Sequence, residues 1–317
     1  MNNTLKGYLL GAIAAATYGM NPLFALPLYA DGLDPDSVLF FRYLFAIPIL
    51  ALMLRLRGRG FRIKGSDIIP LAALGLLFSM SSLTLFESYN YMDAGIASTI
   101  LFVYPIMVAL IMATCFHERL TLRTIVCLAV ALCGIGLLYK GSDGATLSLV
   151  GTAIVMLSAL SYAVYIVAVN RSRLRTMATL RVTFYVTLFG WLLFLVRTLA
   201  AGGPHMPSHH APYLWLNLFA LGLLPTAVSL LCTTAAIQYI GSTPTAILGA
   251  LEPATAVFFG VVVFGEVLTP REMLGFVLII GAVSVVVTAG AGVPSVLTRF
   301  RHLFPKIRRS RRRIRKV

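Results

Sequence analysis

The residue best placed to do chemistry in this chain is Glu252, which stands inside the apolar run Ile247-Leu248-Gly249-Ala250-Leu251-Glu252-Pro253. A charged side chain at the centre of a membrane helix costs about 2.5–3.5 kcal/mol on insertion scales. A carboxyl kept there faces a polar cavity or carries a proton, which suits proton coupling or recognition of an amine. The plainer alternative is a neutral acid hydrogen-bonded to a neighbouring helix. Glu87, in Phe86-Glu87-Ser88-Tyr89-Asn90-Tyr91, lies near the end of its run, where a carboxylate can reach the interface, so binding and simple snorkelling both fit. Phenol and amide groups for a cavity around Glu252 come from Tyr18, Asn21, Asn90, Tyr104, Tyr162, Tyr165 and Gln238. Each is also a residue type that bonds one helix to another.

Arg42 is permanently charged some six residues into its run, and it needs water, a headgroup or a carboxylate there; a structural salt bridge or headgroup anchor is expected ahead of substrate binding. Glu118 and Glu266 each precede a Leu-Thr step and are expected to hold a turn between helices. Pro105 and Pro253 interrupt apolar runs, and each frees a backbone carbonyl that can line a cavity or merely kink a helix. His205, His209 and His210 share a loop with no acidic residue of its own, so a solvated connection is expected ahead of a metal site. Cys115, Cys127, Cys133 and Cys232 all sit in apolar runs without metal spacing and read as packing residues. No phosphate-binding Gly-rich loop, His-Glu-x-x-His or Gly-x-Ser-x-Gly is present, so neither enzyme chemistry nor a cofactor is expected.

The elements that must position these groups follow from composition. Of 317 residues, 59% are hydrophobic and only 12% charged. Soluble domains carry about a quarter charged residues, so the bilayer is the solvent for this fold. Apolar runs long enough to span the hydrocarbon core predict ten helices, over 5–30, 36–56, 67–92, 94–116, 121–140, 147–170, 177–201, 213–239, 243–265 and 271–290. The first is expected to be an uncleaved helix that also acts as the targeting signal. An even number puts both termini on one side. The chain ends in a basic stretch, Arg299 to Lys316, read as a topology signal and an anchor to anionic lipid rather than a nucleic-acid site. Arg55, Arg57, Arg59, Arg62, Lys64, Arg119, Arg123, Arg171, Arg173 and Arg175 then fall inside, in the cytoplasm. Asp31, Asp34, Asp36, Asp93 and Asp143 fall outside, and only Lys140, Arg197 and Arg271 go with them.

The chain also repeats itself. At an offset of 148 residues Tyr91 falls on Tyr239, Pro105 on Pro253, Phe116 on Phe264, Glu118 on Glu266, Leu120 on Leu268, Thr121 on Thr269 and Arg123 on Arg271. Leu71 to Leu77 matches Leu218 to Leu224 one residue out of that register, and Thr17-Tyr18-Gly19 matches Ser161-Tyr162-Ala163. Each copy holds five predicted spans, an odd number, so the second enters the membrane upside down. An inverted repeat of this kind is the architecture that permits alternating access.

Several of these residues resemble those of the drug/metabolite transporter superfamily, EamA-type branch. They are Tyr104-Pro105, His117-Glu118-Arg119-Leu120-Thr121 and Cys133-Gly134-Ile135-Gly136 in the first half. In the second they are Glu252-Pro253, Gly265-Glu266-Val267-Leu268-Thr269-Pro270, Gly275 and Gly281; Arg42 in Phe40-Phe41-Arg42-Tyr43 fits the same pattern. The resemblance implies an all-α membrane protein with two inverted five-helix repeats, at 1–140 and 147–290; the chain after about residue 298 falls outside it, and 291–317 is read from its charge as a basic cytoplasmic tail. It implies a central cavity and transport of small metabolites, often amino acid efflux, with protons as the candidate coupling ion. Uptake or exchange of a sugar, nucleotide sugar or carboxylate remains an alternative, as does a non-transporting membrane sensor. The expected setting is the inner, plasma membrane, and the sequence sets no oligomeric state.

Overall fold

The computed structural model describes residues 3–58, 60–92, 94–118, 121–138, 148–208, 211–264 and 269–290. Asp93, Arg119, Lys140, Asp143, His209, His210, Glu266 and the basic tail lie outside the described residues. Every described element is helical: α1 (Asn3–Tyr18), α2 (Asn21–Ala30), α3 (Pro35–Leu56), α4 (Gly65–Ser88), α5 (Ala94–Leu101), α6 (Tyr104–Phe116) and α7 (Leu122–Leu138) form the first half. The second holds α8 (Leu149–Arg171), α9 (Thr179–Ala200), α10 (Pro212–Leu221), a π turn (Gly222–Val228), α11 (Ser229–Ile240), α12 (Ser242–Leu248), α13 (Leu251–Phe264) and α14 (Pro270–Gly290). Helices are what an apolar solvent demands, because they satisfy their backbone groups internally. Among the described residues, six runs are long and apolar enough to cross a membrane: Asn3–Ala30, Pro35–Leu56, Gly65–Ser88, Leu149–Arg171, Thr179–Ala200 and Pro212–Ile240. The other expected spans correspond to α5 with α6, α7, α12 with α13, and α14, two of them split in mid-run.

Prolines account for the breaks. Pro22, Pro105, Pro225 and Pro253 cannot donate to the carbonyls of Tyr18, Leu101, Leu221 and Gly249 four residues back. The chain breaks between α1 and α2, α5 and α6, and α12 and α13 at these points. Between α10 and α11 it instead widens into the π turn, where the Thr226 hydroxyl donates to the Leu221 carbonyl at 2.8 Å.

The sequence repeat reappears as repeated contacts. A Cβ on Gly75 would meet the Cβ of Phe189, the carbonyl of Val186 and the nitrogen of Gly190. A Cβ on Gly222 would meet the Cβ of Phe45, the carbonyl of Arg42 and the nitrogen of Ala46, the same atoms of the residues 144 positions earlier. Likewise Gly7 lies against Tyr239, and Gly151 against Tyr91. The matched helices α7 and α14 pack on one another in opposite directions. Gly134 faces the Gly275 carbonyl, and Arg271 near the start of α14 donates to the Gly136 carbonyl near the end of α7 at 3.2 Å. Equivalent helices can meet antiparallel only if the twofold relating them runs across their axes, so the two copies point in opposite directions.

Apart from Arg42 and Glu252, the charged groups among the described residues collect at the two ends of the bundle. At one end Asp36 accepts two bonds from Arg197, at 2.7 and 2.9 Å, Asp34 meets His205 Nδ1 at 2.7 Å, and the Ser208 N–H donates to Asp31 at 3.1 Å. His205 keeps a largely exposed side chain, and its acidic partner Asp34 comes from the loop before α3, far away in sequence. Among the described residues no group of three metal-ligating side chains forms. At the other end Arg173 pairs with Asp67 at 3.3 Å and Arg181 donates to the Gly60 carbonyl at 3.2 Å. Glu118 there takes bonds from Arg171 at 3.3 Å and Thr243 at 3.4 Å, joining the ends of α6, α8 and α12.

Candidate functional site

Two sets of matched residues meet where the halves join. Tyr104 and Glu252, each the first or second residue of a half-helix that follows a proline-induced break, are 148 positions apart, and the Tyr104 hydroxyl donates to Glu252 Oε1 at 3.3 Å. Tyr18 and Tyr162, mates in spans 1 and 6, stack with ring centroids 6.0 Å apart and planes 7° from parallel. Residues that are equivalent under a twofold and touch one another must lie at its axis. The four side chains therefore mark the pseudo-symmetric centre, and all are buried. Tyr104 sits edge-on to Tyr162 at 4.8 Å, and Tyr165 continues the stack at 6.1 Å from Tyr162, its hydroxyl 3.4 Å from Thr234 Oγ1. Gly249 makes room for this packing, since any Cβ there would collide with the Tyr104 hydroxyl.

Beside the centre lies a narrow cavity lined by Tyr18, Asn21, Tyr89, Ser98 and Glu252 with Leu85, Leu101 and the turn glycine Gly19. Its free space is close to what a water molecule fills. Asn21 is 2% exposed, and neither its amide nitrogen nor its amide oxygen has a hydrogen-bond partner among the described residues. Buried amides are normally satisfied, and this one faces the cavity instead.

Of the residues expected to share a cavity, Glu252, Tyr104, Tyr18, Asn21, Tyr162 and Tyr165 lie at one centre or in its immediate surround. The others do not. Asn90 is exposed in the turn after α4. Gln238, near the end of α11, accepts from Thr179 and donates to the Met177 carbonyl at 3.0 Å, fixing the start of α9. Glu87 is half-buried at the end of α4, within the field of Arg197 at the acidic end of the bundle. Asn90 and Gln238 stand 148 positions apart, at equivalent places in the two copies, and neither lines the cavity beside Glu252.

Arg42 overturns its expected role. It is fully buried, and no carboxylate among the described residues lies within ion-pair distance. Its Nε donates to Thr226 Oγ1 and its Nη2 to the Pro225 carbonyl at 3.3 Å, both in the π turn of the opposite half, while Nη1 has no partner. The guanidinium lies 5.9 Å from the Tyr18 ring and 5.2 Å from that of Phe86, within cation–π range of both. A signal for it did exist: it is the one basic residue well inside a predicted span.

These features define a multi-pass helical membrane protein made of two copies of one unit folded about a shared polar centre. The chain belongs to the EamA-like transporter family, matching it over residues 5–140 and again over 149–288. An uncharacterized transporter of Archaeoglobus fulgidus is 27% identical over 80% of this chain and 86% of its own length. The uncharacterized transporter YdfC of Bacillus subtilis is 24% identical over 80% and 82%. The uncharacterized transporter sll1319 of Synechocystis is 28% identical over 76% of each. A solved crystal structure shares the fold with a TM-score of 0.75 at 18% identity, covering 91% of this chain and 99% of that one. The protein is thus a membrane transporter.

Proposed function

We propose that the protein is a secondary transporter that exports amino acids or similar small metabolites by alternating access, with Glu252 as the group that holds the cargo's amine or a proton in turn. The observation that carries this reading is the Glu252–Tyr104 pair at the pseudo-symmetric centre, opening onto a cavity with an unpartnered amide. An acid at that point is equally accessible from either side once the matched halves exchange conformations. Ten crossings with both termini in the cytoplasm of an inner membrane, repeats at 1–140 and 147–290, and a tail at 291–317 held at anionic lipid complete the reading. The basic end of the bundle, with Arg57, Arg62, Arg173 and Arg175, supports that orientation.

The test is counterflow of a radiolabelled L-amino acid mixture in liposomes, with Glu252→Gln in parallel. Selective uptake that depends on pH in the wild type, and is lost or becomes pH-independent in the variant, is the expected result. Unchanged pH-dependent flux in Glu252→Gln removes the role given to that residue. Flux of sugars or nucleotide sugars with none of amino acids replaces the cargo.

A further inference from the structure

The centre contains a cation as well as an acid, and the cation has no acidic partner among the described residues. We propose that the Asn21 face of the cavity, backed by the Arg42 guanidinium, receives a carboxylate, so that the cargo is a zwitterion held between Asn21 with Arg42 at one end and Glu252 at the other. This rests on the transport reading above and deepens it by assigning the anionic end of the cargo.

Three observations lead there. A buried guanidinium retains its charge and ordinarily finds a carboxylate. Arg42 has instead a hydroxyl and a carbonyl, which answer its hydrogen bonds but not its charge, and Nη1 has neither. Asn21 supplies two amide N–H donors and an acceptor that have no partner among the described residues, on the cavity wall and 2% exposed. The guanidinium lies 5.9 Å from the Tyr18 ring, and Tyr18 itself lines the cavity. Charge balance then selects the cargo. A simple amine would answer Glu252 and add to the positive field of Arg42, and a simple carboxylate would do the reverse. A molecule with both groups answers both.

The experiment uses the full-length protein in liposomes and counterflow of the labelled L-amino acid mixture, competed by each transported amino acid, its methyl ester and its N-acetyl derivative. In the wild type both derivatives are expected to compete roughly tenfold or more less well than the free amino acid, because each leaves a buried polar group unanswered. Asn21→Ala and Arg42→Gln are expected to lose discrimination against the methyl ester while keeping it against the N-acetyl derivative; Glu252→Gln is expected to show the opposite. Undiminished rejection of the ester in Asn21→Ala overturns the assignment, and that variant removes only an unbonded side chain, so it reports even where Arg42→Gln fails to fold. If the wild type moves no amino acid, the transport reading fails separately. The carboxylate subsite is then read from the melting temperature of purified protein with benzoate and with phenylacetate. Stabilisation abolished by Asn21→Ala sustains the subsite, and no stabilisation in the wild type overturns it.

Discussion

At the scale of single residues, the cost of placing a charge in the membrane makes Glu252 stand out from its neighbours in the chain alone: an acid in the middle of an apolar run needs a polar cavity, a proton or a hydrogen-bond partner there. The same logic applied to Arg42 identifies the right residue and the wrong partner. Its partners lie in the π turn around Pro225, which presents the Thr226 hydroxyl and the Pro225 carbonyl. Thr226→Val should therefore destabilise the protein by about 1.5–3 kcal/mol, the worth of a hydrogen bond to a charged group, read as a lower melting temperature in detergent. Tyr104→Phe should cost only about 0.6–2 kcal/mol, the range for interhelical hydrogen bonds in membranes. A larger loss of transport than of stability in that variant would tie the hydroxyl to cargo handling.

At the scale of elements, small residues set how closely the helices approach. Gly75 and Gly222 hold equivalent positions, and a Cβ on either would press within 3.0 Å of a backbone carbonyl of the opposing helix. Gly75→Val and Gly222→Val should each destabilise by about 1–3 kcal/mol, as overpacking does, and by similar amounts to one another, measured by thermal unfolding. Unequal losses would show that the two contacts are not equivalent in energy. The loop before α3 carries its own pH dependence. Partial burial pushes the Asp34 carboxyl up, but the bonds it accepts from Ser37 and His205 outweigh this and hold it below the ordinary carboxylate range. A lowered value means that the ionised form is favoured when the loop is folded. The stability it adds is present above the unfolded value of about 3.9 and is lost as pH falls through the lower folded value. Hydrogen exchange in residues 203–208 should accordingly accelerate only below about pH 4, and Asp34→Asn should accelerate it at neutral pH. Because the Asp34 side chain stays partly exposed, solvent screening keeps the effect modest.

At the scale of the whole molecule, the opposed copies and the segregation of charge predict a sidedness that labelling can measure. In a variant without its native cysteines, Met206→Cys should react with an impermeant maleimide in intact cells. Arg57→Cys should react only after permeabilisation. Labelling of both from one side would break the assignment of the acidic and basic ends to opposite faces. The Asp36–Arg197 pair at one end and the Arg181–Gly60 contact at the other each join the first half of the chain to the second.

The sequence by itself determined the solvent of the fold, its duplication and the acid at its centre. Composition, the odd number of runs per copy and insertion cost are properties of residues and their spacing, and they survive any arrangement of the helices. Only the tertiary structure decided which polar groups share that centre. Asn90 and Gln238 matched in sequence yet end at the surface and at a helix joint, because sequence equivalence fixes a residue's place in its own copy and says nothing of its distance from the axis. Tyr104 with Glu252 and Tyr18 with Tyr162 touch because they lie on that axis. Arg42 lacks an acidic partner among the described residues because those across the interface, 183 and 184 positions away, belong to a proline-opened turn whose backbone geometry no periodicity in the sequence displays.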